Sequence, residues 1–383
     1  VRGGFGTDQG IAEMKDGWER KRLGDVCDFD KAQGIHRGLP YVGLEHIESN
    51  TGRFIGSVEP LPVKSSTFRF STEHVLYGRL RPYLNKAIAP DFEGHCSTEI
   101  FPIKPSPEVS RDYLLYWLLA DETMERINGT CTGARMPRAD MNEVLDFDFP
   151  VPPLAEQQRI VGVLDEAFAG LATAQAHAAQ NLQNARALFE SHLQSVFTHR
   201  GNGWIEKTLK DVCEEIFAGG DVPKDRLSEE RTAKYSVPIY SNGEKNAGLY
   251  GFTDMARVTK PSITVSARGT LGFTAIRGEP FLPVVRLIVL IPDDKQIMLS
   301  FLYYAIVGMD FGNTGTSIPQ LTVPNFKESK LHIPSLPEQK VIITQLDALA
   351  AEIQNLARLY EQKLAALAEL KKSLLHQAFS GEL

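Results

Sequence analysis

The sequence predicts an α+β protein: two mainly β globular domains separated by two long α-helices that form an antiparallel coiled coil, the whole built as a pseudo-two-fold internal repeat. Three observations carry this. WERKRLGDVCD from Trp18 returns as WIEKTLKDVCE from Trp204, 186 residues later, with Trp, Lys, Leu, Asp, Val and Cys in place. PPLAEQQRIVGVLDEAF from Pro152 returns as PSLPEQKVIITQLDALA from Pro334, 182 residues later, and each Glu-Gln opens an apolar ladder at helical spacing. A period of that length marks duplicated domains rather than a solenoid.

In chain order, residues 1–17 read as a flexible leader whose GGFG is a matter of flexibility rather than phosphate binding. Residues 18–153 form the first β domain and 199–335 the second, the helices occupying 154–198 and 336–383. Alternating apolar and polar residues broken by Gly, Pro and Asn, as in VPIYSNGEKNAGLYGF and SITVSARGTLGF, give short strands with tight turns. SRDYLLYWLLADETMERI from Ser110 and SFLYYAIVGM from Ser300 add helices. A further anchor pairs TGARMPRAD from Thr132 with TGTSIPQLT from Thr314, yet between anchors the two fillings share no useful alignment.

The first ladder is Ile160, Leu164, Ala167, Leu171, Ala174, Ala178, Ala185 and Leu188, with His192 on the same line as an interface histidine. The second is Ile342, Leu346, Leu349, Ile353, Leu356, Tyr360, Leu367, Leu370 and Leu374. Alternating steps of four and three make a coiled-coil seam. A helix of about 44 residues spans roughly 66 Å, more than one domain needs to close its core. Ser335 and Glu338 suit a capping box with Pro337 in the first turn. Gly201 and Gly381 suit left-handed stops.

Composition narrows the function. Net charge is -7, with 18 basic and 23 acidic side chains in residues 1–150 and 15 of each in 201–335, so a DNA-binding chain of this kind needs a partner to supply phosphate attraction. Four scattered cysteines without a C-x-x-C pair argue against a disulfide scaffold or zinc site and read as buried thiols in a reducing cytosol. No apolar run approaches the roughly 20 residues of a membrane span. Neither a G-x-x-x-x-G-K-[ST] loop nor an Asp/Asn-Pro-Pro-aromatic segment occurs, nor any metal-ligand spacing of histidines, so the chain is read as non-catalytic, with no cofactor or metal of its own.

The motifs RLGDV, VLYGRLRPYLNK, PIYSNG, TGTSIPQLT and the doubled PLAEQQRI and LPEQKVI, in this order, resemble the specificity (S) subunit of type I restriction-modification systems over nearly the whole chain after Trp18. The resemblance implies that the β domains are target recognition domains and the helices conserved spacers. It implies a complex with double-stranded DNA, two methyltransferase (M) subunits and, through them, restriction (R) subunits, in the cytoplasm. S-adenosylmethionine, ATP and Mg²⁺ then belong to the partners. Two unlike fillings on one frame imply a bipartite, asymmetric site, its halves about one helical turn or a small multiple apart.

Arginine forks read guanine, so the DNA-contact candidates are Arg79, Arg81, Lys86, Arg135 and Arg138 in the first domain and Lys245, Arg268 and Arg277 in the second. Each also has a plain reading as the local partner of a carboxylate. The helix starts offer Glu156, Gln157, Arg159, Glu338, Gln339 and Lys340 as docking residues for a partner, although both glutamates also serve helix capping and the helix dipole. The competing class is a coiled-coil adaptor that reads no DNA, and a distant third is an autonomous nuclease or methyltransferase.

Overall fold

The protein is represented by a computed structural model that describes residues 15–30, 32–61, 63–133, 135–199, 201, 203–309, 311 and 321–383. Residues 1–14 of the leader, and TGTSIPQ of the TGTSIPQLT anchor, lie outside the described residues. The chain forms two compact units: one runs up to Ala179 and includes Gln362–Leu383, the other is Gln180–Glu361. The long helices are Leu154–Thr198 and Leu336–Ser380, 45 residues each.

In the first unit an antiparallel sheet has the order Cys27–Phe29, Ile100–Pro105, Val75–Gly78, Ala87–Ile88. A second sheet has the order Gln33–Gly34, Thr67–Phe70, Gly94–Cys96, Tyr41–Val42, its last pair parallel. The run from Ser110 is two helices, Arg111–Leu119 and Asp121–Gly129, because Ala120 turns to an extended backbone (ψ 136°) between them. The second unit has a four-stranded sheet, Cys213–Ala218, Ile288–Pro292, Ser262–Val265, Thr274–Arg277, and a three-stranded one around Val237–Tyr240, with the helix Leu299–Val307.

The duplication is exact where the chain enters and leaves each β-rich domain. Glu19–Arg22 pairs antiparallel with Asp148–Val151, and Ile205–Thr208 pairs with Lys330–Ile333. Glu19 faces Val151 as Ile205 faces Ile333, positions 186 and 182 residues further on, which are the offsets of the sequence repeat. A buried glutamine then fastens the helix to its domain. The Gln157 side chain accepts from Ser110 N (2.7 Å) and donates to the carbonyls of Glu108 and Pro152 (2.8 Å each). Gln339 accepts from Met298 N (2.8 Å) and donates to those of Gln296 and Pro334 (3.0 Å each). A second clasp is repeated as well: the Tyr116 hydroxyl donates to Asp165, and that of Tyr304 to Asp347 at 2.6 Å.

These bonds correct one expectation. Gln157 and Gln339 are fully buried, so neither sits on a docking face. The capping box is also replaced: Glu338 accepts from the Trp204 indole at 3.0 Å, and the turn at Ser335 is closed by Gln339 N donating to its carbonyl. Gly381 has the left-handed φ of 84°, but after the first helix that role falls to Gly203 (φ 95°). Gly201 is instead required by crowding, since a Cβ there meets Trp204 Nε1 at 3.0 Å and Glu338 Oε1 at 3.2 Å.

Within each unit the two long helices pack antiparallel, the start of one beside the end of the other. In the first unit Ile160 and Leu164 share a core with Leu375, Ala378, Tyr113 and Phe149. In the second, Leu193 packs with Leu346 and Tyr304, and Arg186 pairs with Glu361 at 3.2 Å. Of the ladder, Ile160, Leu164, Leu171, Ala178, Ala185 and Leu346 are buried, and Ala167, Ala174, Ile342, Leu349, Ile353, Tyr360, Leu367 and Leu374 half-buried. Leu188 (59% exposed), Leu356 (41%) and Leu370 (48%) are not in the seam, and His192 is exposed. The reason is register. After Ala185 the covered face advances by two steps of four, to Phe189 and Leu193, a local 11-residue spacing that shifts the face a helix presents. In the second helix the covered line runs through Ile353, Ala357, Tyr360, Leu364, Leu367, Lys371, Leu374 and Ala378, one residue past Leu356 and Leu370.

Replacing Gln157 by Leu leaves the Ser110 N–H and two carbonyls unpaired, at about 1–3 kcal/mol per buried group. We expect a loss of roughly 2–4 kcal/mol in urea unfolding, with hydrogen exchange accelerated first at residues 108–110, and the same at 296–298 for Gln339→Leu. An unchanged midpoint would show the clamps to be idle.

His95 is buried, shares a 3.0 Å hydrogen bond with Thr67, and stacks between Tyr41 (5.4 Å) and His36 (5.7 Å). Burial, then the neighbouring His36, pushes its pKa down, and burial does the same to His74 despite Asp30 at 3.9 Å. The unfolded chain therefore binds these protons more readily than the fold does. Stability is complete above the ordinary imidazole value of about 6.5 and falls as pH drops below it. Urea midpoints at pH 8, 6 and 5 should decline, and His95→Gln should flatten the profile.

Candidate DNA-reading surfaces

In the first domain the structure joins the two motifs that hold the arginine candidates. Arg79 N donates to the Glu99 carbonyl and Ala139 N to the Arg79 carbonyl, both at 2.9 Å. Arg81 N donates to the Pro137 carbonyl at 2.8 Å, while Thr132 and Arg138 exchange two backbone bonds at 3.1 Å. GRLRPYLNK and TGARMPR thus form one stitched loop pair displaying Arg79, Arg81, Arg135 and Arg138, with Tyr83 (50% exposed) and Met136 (45%) beside them. Arg81 is exposed and stands at φ 54°, a left-handed conformation uncommon for a non-glycine residue, held by that bond to Pro137 and by the turn Pro82–Leu84. Lys86 departs from the group: its Nζ donates to the Leu44 carbonyl at 2.7 Å and ties loop to loop.

Arg79 and Arg138 converge on one carboxylate. Glu99 receives Arg138 through Nη2 (2.8 Å) and Nε (2.9 Å to Oε1, 3.1 Å to Oε2), and Arg79 through Nε (3.1 Å). The Arg138 bonds, then those of Arg79, hold the Glu99 carboxyl below the usual carboxylate range. The plain reading of these arginines, as partners of a local carboxylate, is therefore met, and the cluster still carries one net positive charge beside a polar cleft lined by Gln33, Thr98, Thr132 and Asn142.

In the second domain Asn242 of PIYSNG is the pin. Its Nδ2 donates to the Val285 carbonyl (2.6 Å), its Oδ1 accepts from Ala267 N (2.8 Å), and Gly243 N donates to Ser266 Oγ (3.0 Å). Three loops are thereby joined, displaying Lys245, Arg268, Leu249, Tyr250 and Val285. Asn246 and Ala247 stand at φ 50° and 51°, and Val285 and Arg286 at 53° and 61°.

Arg277 is corrected from an expected base contact to an internal brace. It is 6% exposed, donates to Thr264 Oγ1 (3.0 Å) and the Ala247 carbonyl (2.7 Å), and lies 3.6 Å over the Tyr240 ring. Burial lowers its pKa. It holds the 245–248 turn in its left-handed shape. Asn242 and the Tyr–Asp clasps were missed as functional positions, although aligning the two copies pairs Tyr116 with Tyr304 and Asp165 with Asp347 directly.

At the helix starts Glu156 is clasped by Arg159 (2.7 and 3.0 Å) and Lys15 (3.1 Å), which together hold its pKa at about 2. Arg159 also donates to the Leu383 carbonyl at 2.7 Å. Lys340 is exposed. Cys27 and Cys96 are buried thiols, Cys27 being pushed up to about 12 by burial, and no group of three or more His, Cys, Asp or Glu among the described residues is placed to hold a metal. No helix of the described residues is long and apolar enough to cross a membrane.

With two unlike loop clusters carried on one duplicated frame, comparison with known proteins is decisive. The profile of the type I restriction modification DNA specificity domain matches twice, over residues 15–180 and 201–362. The chain belongs to this family. It is similar to a putative type I specificity subunit of Mycoplasma pneumoniae, 27% identical over 86% of this chain and 88% of that one. A second from the same organism is 31% identical over 70% and 80%. The specificity subunit of the Escherichia coli type I enzyme EcoDI is 26% identical over 58% and 51%. Among solved structures, a chain from a study of complex assembly and conformational transition in the type I R-M system superposes with a TM-score of 0.84 at 22% identity, covering 97% of this chain and 100% of that one. The HsdS subunit of Thermoanaerobacter tengcongensis gives 0.63 at 21%, covering 97% and 98%. This type I specificity subunit has two target recognition domains, and its family is non-catalytic in itself.

Removing Arg277 tests its reassignment. Arg277→Ala leaves Thr264 and the Ala247 carbonyl without a donor, so the second unit should lose about 2–3 kcal/mol and the 242–250 loop should become protease-sensitive, while Lys245→Ala should leave stability within ~0.5 kcal/mol. A fully stable Arg277→Ala protein would return Arg277 to the surface candidates.

Proposed function

We propose that this specificity subunit reads a bipartite, asymmetric site in double-stranded DNA, one half through each loop cluster, and docks two methyltransferase subunits and, through them, restriction subunits. The observation that carries this is the contrast within the duplication. Ribbon register, glutamine clamp and Tyr–Asp clasp recur residue for residue, whereas the displayed loops share neither sequence nor conformation. A frame kept constant under variable loops is what two different half-sites require.

S-adenosylmethionine, ATP and Mg²⁺ are assigned to the partners, and methylation or cleavage to the complex, which acts in the cytoplasm where its DNA is. The exposed flanks of the helix starts, at Arg159 and Lys340, are the docking residues retained. Since the chain is acidic overall, the methyltransferase subunits supply much of the counterion-releasing contact with phosphate.

Exchanging the segment between Cys27 and Thr132 for that of a relative should change one half-site, read from the methylation pattern of the assembled complex, and leave the other intact. Adding one heptad to each long helix should lengthen the unread gap. Affinity of the complex for duplex DNA should fall linearly in log affinity against log salt. Both half-sites changing together would refute modular reading, and salt-independent, sequence-blind behaviour would favour the adaptor.

A further inference from the structure

The Arg79–Glu99–Arg138 cluster is asymmetric in a way that assigns different tasks to its two arginines. Arg138 spends Nε and Nη2 on the carboxylate and Nη1 on the Met136 carbonyl (3.3 Å), so its fork is closed. Arg79 gives Glu99 only its Nε. Among the described residues its two terminal nitrogens have no hydrogen-bond partner, and its guanidinium lies 5.5 Å from the Phe101 ring centroid on the wall of the polar cleft. One third of its side chain is open to solvent.

A guanidinium held at Nε by a carboxylate and backed by an aromatic ring presents its Nη1–Nη2 end in a fixed direction. That end matches the O6 and N7 acceptors of guanine in the major groove. The direction is set before binding, so little rotamer freedom remains to be lost on contact. We infer that Arg79 is the guanine-reading side chain of the first domain, aimed by Glu99, with Arg138 a positioning residue locked on the same carboxylate. This rests on the reading proposed above and adds which side chain reads and which base it selects. Arg81 and Arg135, exposed on the same loop pair, then fall to phosphate.

The test is selection from a randomised duplex library by the full chain assembled with its methyltransferase subunits, at one fixed salt concentration. Arg79→Ala and Arg79→Lys should each lower the preference for guanine at one position of one half-site by about ten- to hundredfold, because lysine keeps the charge but not the fork. Glu99→Gln should weaken the preference at that same position and no other. The second half-site, enriched in the same experiment, reports that each variant is folded and assembled. A guanine preference that survives Arg79→Lys overturns the inference. So does an Arg79→Ala protein that binds all sequences equally less well with a shallower salt dependence, the mark of a phosphate contact. A wild-type complex that enriches no sequence at all removes the proposed function and this inference with it; a wild type with an intact bipartite site and an indifferent Arg79 removes the inference alone.

Discussion

Everything in this fold leans on one buried primary amide, used twice. A helix that leaves a domain and runs on for 45 residues is a lever, and small angular play at its root becomes a large displacement at its far end. Gln157 removes that play by bonding both to the strand it has just left, at Pro152, and to the segment before the next helix, at Glu108 and Ser110. Gln339 does the same at Pro334, Gln296 and Met298. No apolar side chain of that size would serve, because the backbone groups it meets are two acceptors and one donor that burial leaves without water. The amide is the one neutral side chain that satisfies both kinds at once.

The loops obey another logic. Their scaffolding is also polar and internal, but each domain has its own: the Glu99 carboxylate gathers two arginines in the first, and Asn242 and Arg277 pin a set of left-handed turns in the second. Strained φ values at Arg81, Asn246, Ala247, Val285 and Arg286 fall on these loops, where surrounding hydrogen bonds over-determine the backbone. Variation is therefore confined to parts whose support lies within the same domain.

Much of this was legible in the residues. The two offsets located the ribbons to the residue, and the proline-to-Glu-Gln breaks located both helix starts. What stayed hidden was hidden for physical reasons. An apolar residue on a periodic line looks like seam until the partner's register is known, so Leu188, Leu356 and Leu370 were taken in while Phe189, Ala357 and Lys371 were passed over. A glutamine beside a glutamate looks like surface, because composition does not say which of the two turns inward. Arg277 looked like a reader since its glycine-rich context is that of an exposed turn. Only the ladder pairing Arg277 with Ser262 sets it against the interior strand and so beneath the loop.

One further point concerns synthesis. The hydrophobic centre of the first unit contains Leu375 and Ala378, and Phe379 stacks on Tyr113 at 5.2 Å. The nascent chain must therefore leave the ribosome almost whole before its earliest-made domain is sealed. Until then Tyr113 and its neighbours lie open to water or to a chaperone. The last residues translated act as a stopper, and a message cut short by even a few codons leaves its damage at the opposite end of the polypeptide.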